Sequence, residues 1–208
     1  MNFSIQLPHL NTGQYGVFFL FANVIIIVCV MIVLFSIAID FAKYHQPKQY
    51  KKKSNSWVET GTMFLYFFVY YGLLFVHFGR LNFSSPAWTD VLIGIGIILV
   101  ILGCYVNVQG RLTLKQNWAN QVTIYRHQQF VSGSVYKWVR HPLYASLIWM
   151  FCGAALIYGN WLALLSIFVI FVPMMIYRAK QEEKLLCEEF SEYADYQRKT
   201  GMLFPKIF

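Results

Sequence analysis

Charge is what this sequence has least of. Only 12% of its 208 residues are Asp, Glu, Lys or Arg, whereas a soluble domain spends about a quarter of its residues on them. The first formal charge on a side chain is Asp40, so thirty-nine residues pass without one. A water-exposed surface cannot be covered at that density, which excludes an ordinary soluble domain. The 58% hydrophobic content likewise excludes a disordered chain. Cysteine is scarce too: Cys29, Cys104, Cys152 and Cys187 lie far apart, with no CxxC pair. That excludes a secreted disulfide scaffold and leaves small buried thiols as the reading. The five histidines show no HExxH or similar spacing, so no metal site is expected. What is present in excess is apolar: mean hydropathy is +0.49. The net charge of +8 does not point to nucleic acid, because the basic residues flank apolar runs.

Crossing about 30 Å of hydrocarbon takes about 20 apolar residues in a helix. Residues 17–39 meet this directly, with a core too long for a signal peptide and no positive segment before it. Charge-free runs follow at 60–79, between Glu59 and Arg80, and at 91–110, between Asp90 and Arg111. Residues 142–177 then run uncharged, too long for one span, with the turn signal Gly159-Asn160 near the middle. This predicts a tight helical hairpin of two short arms, each about 17 residues or roughly 25 Å, with Pro173 bending the second. The expected fold class is therefore all-α and integral to the membrane. It has five transmembrane helices, the last two forming the hairpin.

The basic residues set the orientation. Lys43, Lys48, Lys51, Lys52 and Lys53 fall in the 40–56 loop; Arg111, Lys115, Arg126, Lys137 and Arg140 in segment 111–140; and six more in the tail. The other side carries Arg80 alone, and sixteen against one predicts the amino terminus outside and the carboxyl tail in the cytoplasm. The lysine run serves as a topology anchor and suits anionic membrane lipids. In the tail, Leu185, Leu186, Phe190, Tyr193 and Tyr196 recur at helical spacing among charges, so the last membrane helix should continue as a cytoplasmic amphipathic helix. No separate soluble catalytic domain fits. The chain divides into residues 1–109, membrane helices with the basic loop, and residues 110–208, where the remaining polar mass lies.

Two clusters stand out in that second region. Tyr136-Lys137-Trp138-Val139-Arg140-His141-Pro142-Leu143-Tyr144 places proline at the start of the hairpin helix and biases His141 toward an extended backbone. Free N–H groups there favour an anion, although His, Tyr and Trp also suit a membrane-interface anchor. Arg178 and Glu182 stand four apart, so they share a helix face. As an exposed pair they form a weak charge ladder. At a bilayer edge, Arg178 is also placed to take a lipid carboxylate or phosphate with two parallel hydrogen bonds. The Gly94-x-Gly96 pair lies within a helix and reads as helix packing, not a phosphate loop.

Gly133, Tyr136, Arg140-His141-Pro142-Leu143-Tyr144, an apolar hairpin, Glu182-Glu183-Lys184-Leu185-Leu186 and then Phe190, Tyr193 and Tyr196 form a pattern. It resembles the isoprenylcysteine carboxyl methyltransferase family, part of a wider group with phospholipid methyltransferases. The resemblance covers roughly 110 to the carboxyl terminus. It implies an integral-membrane enzyme using S-adenosylmethionine, with the methyltransferase-like region at 110–208. Carried over by position, the cofactor contacts would be Gln121, Gln128, Gln129, Phe130, Val131, Tyr136, His141, Pro142, Leu143 and Tyr144. Arg178 and Glu182 would be catalytic and face the acceptor. There are two departures: Ser134 and Ser146 stand where the family favours glycine.

On this reading Tyr136 and Tyr144 stack on the purine or face the sulfonium, and backbone N–H groups take the cofactor's carboxylate. Arg178 orients a carboxylate acceptor with Glu182 holding it; for an amine or phenol, Glu182 is the candidate base. The expected partners are a lipophilic small-molecule or lipidated acceptor (isoprenylcysteine carboxylate, phospholipid amine or another hydrophobic molecule) and membrane lipids, with no nucleic acid and no metal. The alternatives are a sterol-reductase-like enzyme using NADPH and a non-enzymatic scaffold or transporter subunit.

Overall fold

The structure, a computed structural model, describes residues 14–44, 50–53, 60–75, 79, 86–117, 123–125 and 129–206. Helix α1 (Gln14–Tyr44) is built mostly from Val, Ile, Leu, Phe and Ala. Leu20, Ile27, Met31 and Phe35 stand more than half exposed along it. A face of that kind is matched by lipid and not by water. Helices α2 (Thr60–Phe75) and α3 (Pro86–Leu114) follow, and then α4 (Pro142–Ile157). Three stretches, Gly16–Lys43, Ala87–Leu114 and Trp161–Glu189, are long and apolar enough to cross a membrane; Gly61–Phe75 and Pro142–Ile157 are shorter apolar helices. The chain is a multi-pass integral membrane protein.

The predicted hairpin forms. Helix α4 ends at Tyr158, Gly159 turns the chain with φ +58, and Asn160 caps α5 (Trp161–Ser166), its side chain accepting from the Ala163 amide. The same side chain donates to Leu73 O at 2.9 Å, which ties the hairpin tip to α2. The second arm runs through a π-helical turn, Ile167–Phe171, into α6 (Val172–Glu189), and so continues past its apolar part as expected. Pro173 sits in the first turn of α6. Its ring excludes a regular α-helical turn behind it, and the widened turn accommodates the missing hydrogen bond.

Helices α3 and α4 meet backbone to backbone. A Cβ on Gly96 would stand 2.6 Å from Gly153 O, one on Gly103 2.7 Å from Ser146 O, and one on Gly110 2.8 Å from the Leu143 side chain. These glycines recur every seven residues, so they line one face of α3. Gly94, the other half of the GxG pair, meets nothing within 4 Å. On the opposite side of α4, Phe151 packs among Tyr66, Tyr70 and Phe171 with ring centroids 4.7–5.6 Å away. The Tyr70 hydroxyl donates to Phe151 O at 2.5 Å.

The all-helical architecture holds, with one addition that the sequence did not announce. Strands β1 (Tyr50–Lys53) and β2 (Thr123–Tyr125) pair antiparallel, joining the α1–α2 connection to the α3–α4 connection. Short ribbons of this kind form from two loops held close by tertiary contacts, which no local pattern announces. Beyond α6, Phe190 is extended and α7 (Tyr193–Lys199) follows. Residues after α7 then run back along 139–141: Val139 bridges Gly201, Arg140 N donates to Gly201 O at 2.9 Å, and His141 N donates to Met202 O at 3.1 Å.

Candidate active site

Pro142 occupies the first turn of α4, where its missing N–H costs nothing. His141 caps the helix with φ −122 and ψ 65, outside the helical region as a pre-proline residue should be. Its ring turns toward α6 and lies between two adjacent carboxylates. Nδ1 is 3.4 Å from Glu182 Oε2 and Nε2 is 3.1 Å from Glu183 Oε1. Burial by itself lowers the imidazole pKa, but the hydrogen bonds and charges of Glu182 and Glu183 outweigh it, and the net direction is upward.

Around this pair each side has its own arginine. Glu182 Oε1 accepts from the Tyr144 hydroxyl and from Arg178 Nε at 3.3 Å. The Arg178 guanidinium carbon sits 5.9 Å above the Tyr144 ring, and that ring stacks on His141 at 5.5 Å with a 7° interplanar angle. Arg178 is only 5% exposed, so it is not part of a solvated charge ladder. On the far side, Arg140 Nε meets Glu183 Oε1 at 2.6 Å and Gln197 Nε2 donates to Glu183 Oε2 at 2.7 Å. Arg140 Nη1 also donates to the carbonyls of Gln197 and Thr200. Thus the Arg140 side chain is committed to holding the tail, while Arg178 and Glu182 face the opening.

That opening is a cavity of roughly 710 Å³, within the range of small-molecule sites. Gln129, Phe130, Val131, Tyr136, His141, Pro142, Leu143, Tyr144, Arg178 and Glu182 all line it. Gln121 and Gln128 lie outside the described residues. Gln129 N donates to Asn117 Oδ1 at 3.0 Å. Phe130 sits against Phe190, Tyr193 and Tyr196, with centroids 5.2–5.9 Å apart. Tyr136 is buried, and its carbonyl accepts from the Tyr196 hydroxyl at 2.5 Å. Burial raises the phenols of Tyr136 and Tyr193, and pushes Tyr196 up to about 12, so all three stay neutral. The cavity is also lined by Ile26, Val30, Val33, Phe64, Phe67 and Phe68 of α1 and α2, so it joins a charged part to a largely apolar one.

Just before α4, the backbone N–H groups of Arg140 and His141 are used by the carbonyls of Gly201 and Met202. Ser134 has φ +55 while Gly133 has φ −88, so a left-handed turn survives here with a serine in it. Ser146, the second departure, has its own use: it accepts from Asn107 Nδ2 at 2.8 Å and donates to Leu143 O at 2.7 Å. Its backbone fits because Gly103 lies opposite. Sequence reasoning did not give roles to Glu183, Arg140 and Gln197. The available signal was the doubled glutamate, since neighbours on a helix stand about 100° apart and can grip one ring from two sides.

Comparison with known proteins follows the same residues. The model of the isoprenylcysteine carboxyl methyltransferase family matches residues 96–188. A protein-S-isoprenylcysteine O-methyltransferase of Saccharomyces cerevisiae is 32% identical over 128 residues, 60% of this chain and 54% of the relative. The chain thus spans about half the length of that relative. The structure of the eukaryotic intramembrane Ras methyltransferase, an isoprenylcysteine carboxyl methyltransferase, superposes with a TM-score of 0.57 at 21% identity. It covers 93% of this chain and 74% of the other, which shows a shared fold. The match to the isoprenylcysteine carboxyl methyltransferase family thus lies over residues 96–188, the stretch that holds Arg140 to Tyr144 and Glu182-Glu183, and the solved structure shares the fold.

Proposed function

We propose that this protein is an S-adenosylmethionine-dependent methyltransferase acting on a lipophilic acceptor that ends in a carboxylate, of the isoprenylcysteine type. The single observation that carries the reading is the join within one cavity. The buried Arg178–Glu182–Tyr144–His141 cluster closes one end, and apolar side chains of α1 and α2 line the other. A lipid tail fits the second and an anionic head the first.

The residues suit the cofactor's chemistry. Aromatic rings of Phe130, Tyr136 and Tyr144 line the same wall as His141 and Leu143, and such rings stack on a purine or attract a sulfonium. When bound, S-adenosylmethionine supplies an electrophilic methyl group. Arg178 holds the acceptor carboxylate by its planar guanidinium, and Glu182 and the Tyr144 ring keep that guanidinium aimed. The apolar walls keep water from the nucleophile. Transfer to a carboxylate releases no proton, and this agrees with a Glu182 that already accepts from Tyr144 and Arg178 and faces His141. An amine acceptor would need Glu182 as a base, for which it is less suited. The NADPH-reductase and scaffold readings are not favoured beside the methyltransferase matches.

In this reading residues 110–208 form the methyltransferase-like region and 1–109 the remaining membrane helices. The two shorter apolar helices also cross, making five spans, with the amino terminus outside and the site and tail at the cytoplasmic face. The loop charge asymmetry supports that orientation. The test is transfer of labelled methyl from S-adenosylmethionine to N-acetyl-S-farnesylcysteine by the purified protein in lipid nanodiscs. Base-labile label in the acceptor is expected, as a methyl ester requires. Label that resists base points to an amine, and no label with cofactor present refutes the proposal.

A further inference from the structure

The first charge of the chain is buried. Asp40 is 4% exposed, and its Oδ2 accepts from Arg111 Nη1 at 2.7 Å. Arg111 Nε donates to Asn107 Oδ1 at 2.9 Å, and Asn107 Nδ2 donates to Ser146 Oγ at 2.8 Å. Ser146 Oγ then donates to Leu143 O at 2.7 Å. Asn107 and Ser146 are both 0% exposed. An unbroken chain of hydrogen bonds thus runs from the last turns of α1, across α3, to a carbonyl in the first turn of α4. That turn begins beside His141 and carries Tyr144.

Stability alone does not call for such a chain. A buried ion pair gains little over apolar residues of the same volume, because desolvation offsets the attraction. Its placement suggests another use. Arg111 lines the polar part of the cavity with Tyr136, Pro142 and Leu143. On α1, Ile26, Val30, Val33 and Ile37 line the apolar limb. Asp40 follows Ile37 by three residues, so it continues that same helix face. Helix α1 therefore touches whatever fills the apolar limb and is tied at its end to the residues that shape the polar one.

We propose that Asp40 and Arg111 are positioning residues that couple the two ends of the cavity, so that a lipophilic acceptor and the adenosyl cofactor bind cooperatively. This rests on the function proposed above. An acceptor tail packed against α1 fixes the helix where Asp40 meets Arg111. The chain through Asn107 and Ser146 then fixes the start of α4 in its cofactor-ready position. Such coupling is reciprocal by linkage.

The experiment titrates the full chain in nanodiscs with S-adenosylhomocysteine, with and without saturating N-acetyl-S-farnesylcysteine; no methyl is present to transfer, so the complexes are static. In the wild type the acceptor is expected to tighten S-adenosylhomocysteine binding about fivefold or more, the lower end of ordinary couplings. Asp40→Leu/Arg111→Leu removes both charges together and is expected to bring the ratio close to one. Ser146→Ala interrupts the chain at its other end without leaving a charge and should lower the ratio as well, which covers a double variant that does not fold. Arg111→Lys, keeping the charge, should retain part of it. An undiminished ratio in the folded double variant or in Ser146→Ala overturns this inference alone, as does a ratio of one in the wild type. A wild type that binds no S-adenosylhomocysteine at all refutes the proposed function and this inference with it.

Discussion

Glu183 offers the most direct quantitative test of how the site is held. Its carboxylate accepts from Arg140, His141 and Gln197, and the Arg140 and Glu183 side chains are 7% and 6% exposed. Little solvent screening applies at that burial. Removing one partner of a buried pair leaves the other charge uncompensated, at about 3–5 kcal/mol. In Glu183→Gln the amide oxygen still accepts from one donor, but the new NH₂ opposes the Gln197 amide that it replaces as acceptor. One charge-assisted bond lost and one weakened, each about 1.5–3 kcal/mol, put the expected cost near the lower end, about 3 kcal/mol. For a chain of this size that is a fall of about 6–12 °C in the unfolding midpoint. A maleimide dye that fluoresces on reaching the buried thiols Cys29 and Cys104 reads the midpoint in detergent. Arg140→Met/Glu183→Leu removes both charges and should recover at least half of the loss. If Glu183→Gln melts within about 2 °C of wild type, the Arg140–Glu183 clamp does not hold the tail, and the reasoning fails.

The remaining predictions are independent of that one. His141, raised above its ordinary value by Glu182 and Glu183 against the pull of burial, contributes stability that is fully present below about pH 6.5 and is lost as pH rises through its folded pKa; the midpoint difference between wild type and His141→Gln should shrink with rising pH, and a constant difference would count against it. Ser134→Gly relieves a left-handed serine at φ +55, worth about 1–2 kcal/mol less the added freedom of glycine in the unfolded chain, so the midpoint should rise, and a fall refutes the strain. Gly153→Ala, whose Cβ would stand 2.5 Å from Gly96 O, should separate α3 from α4 and destabilise. Gly94→Ala, in open space, should be neutral or gain up to about 1 kcal/mol of helix propensity; equal midpoints for the two alanine variants would contradict the packing. Arg178→Lys keeps the charge but not the planar fork, and should cut turnover about tenfold, or 1.4 kcal/mol, with S-adenosylhomocysteine affinity unchanged; normal turnover removes Arg178 from the acceptor site.

The sequence disclosed much of the architecture because a bilayer sets strict demands on length and polarity. The hairpin was legible from an uncharged run too long for one span with Gly159-Asn160 inside it. The polar end of the cavity was legible because Arg140 to Tyr144 and Arg178 to Glu183 are compact motifs. What stayed hidden depends on distant parts of the chain meeting. Asp40 and Arg111 are 71 residues apart, and Arg140 and Glu183 are 43 apart, and nothing local marks either as a partner. The tail carbonyls that take the Arg140 and His141 amides belong to residues chosen for backbone path, not side chain. The continuation of the second arm past Tyr177 was legible from the helical spacing of Leu185 and Leu186, but the π-helical turn at Ile167–Phe171 was not. Ser134 adopts a conformation that only glycine would have advertised.

The glycine seam between α3 and α4 has a mechanical consequence. Gly96, Gly103 and Gly110 place the two backbones in contact over fourteen residues, about 21 Å of helix, most of the thickness of a hydrocarbon core of about 30 Å. Few side chains lie between the helices to yield under load, Leu143, Met150 and Ile157 among them, so the pair tends to move together. When the surrounding bilayer thins or thickens, the pair tilts, carrying Asn107 and Arg111 on one helix and Leu143 and Ser146 on the other. The lipid-facing helix surfaces absorb the mismatch. The polar end of the cavity should therefore respond less to bilayer thickness than the lipid-facing helix surfaces around it.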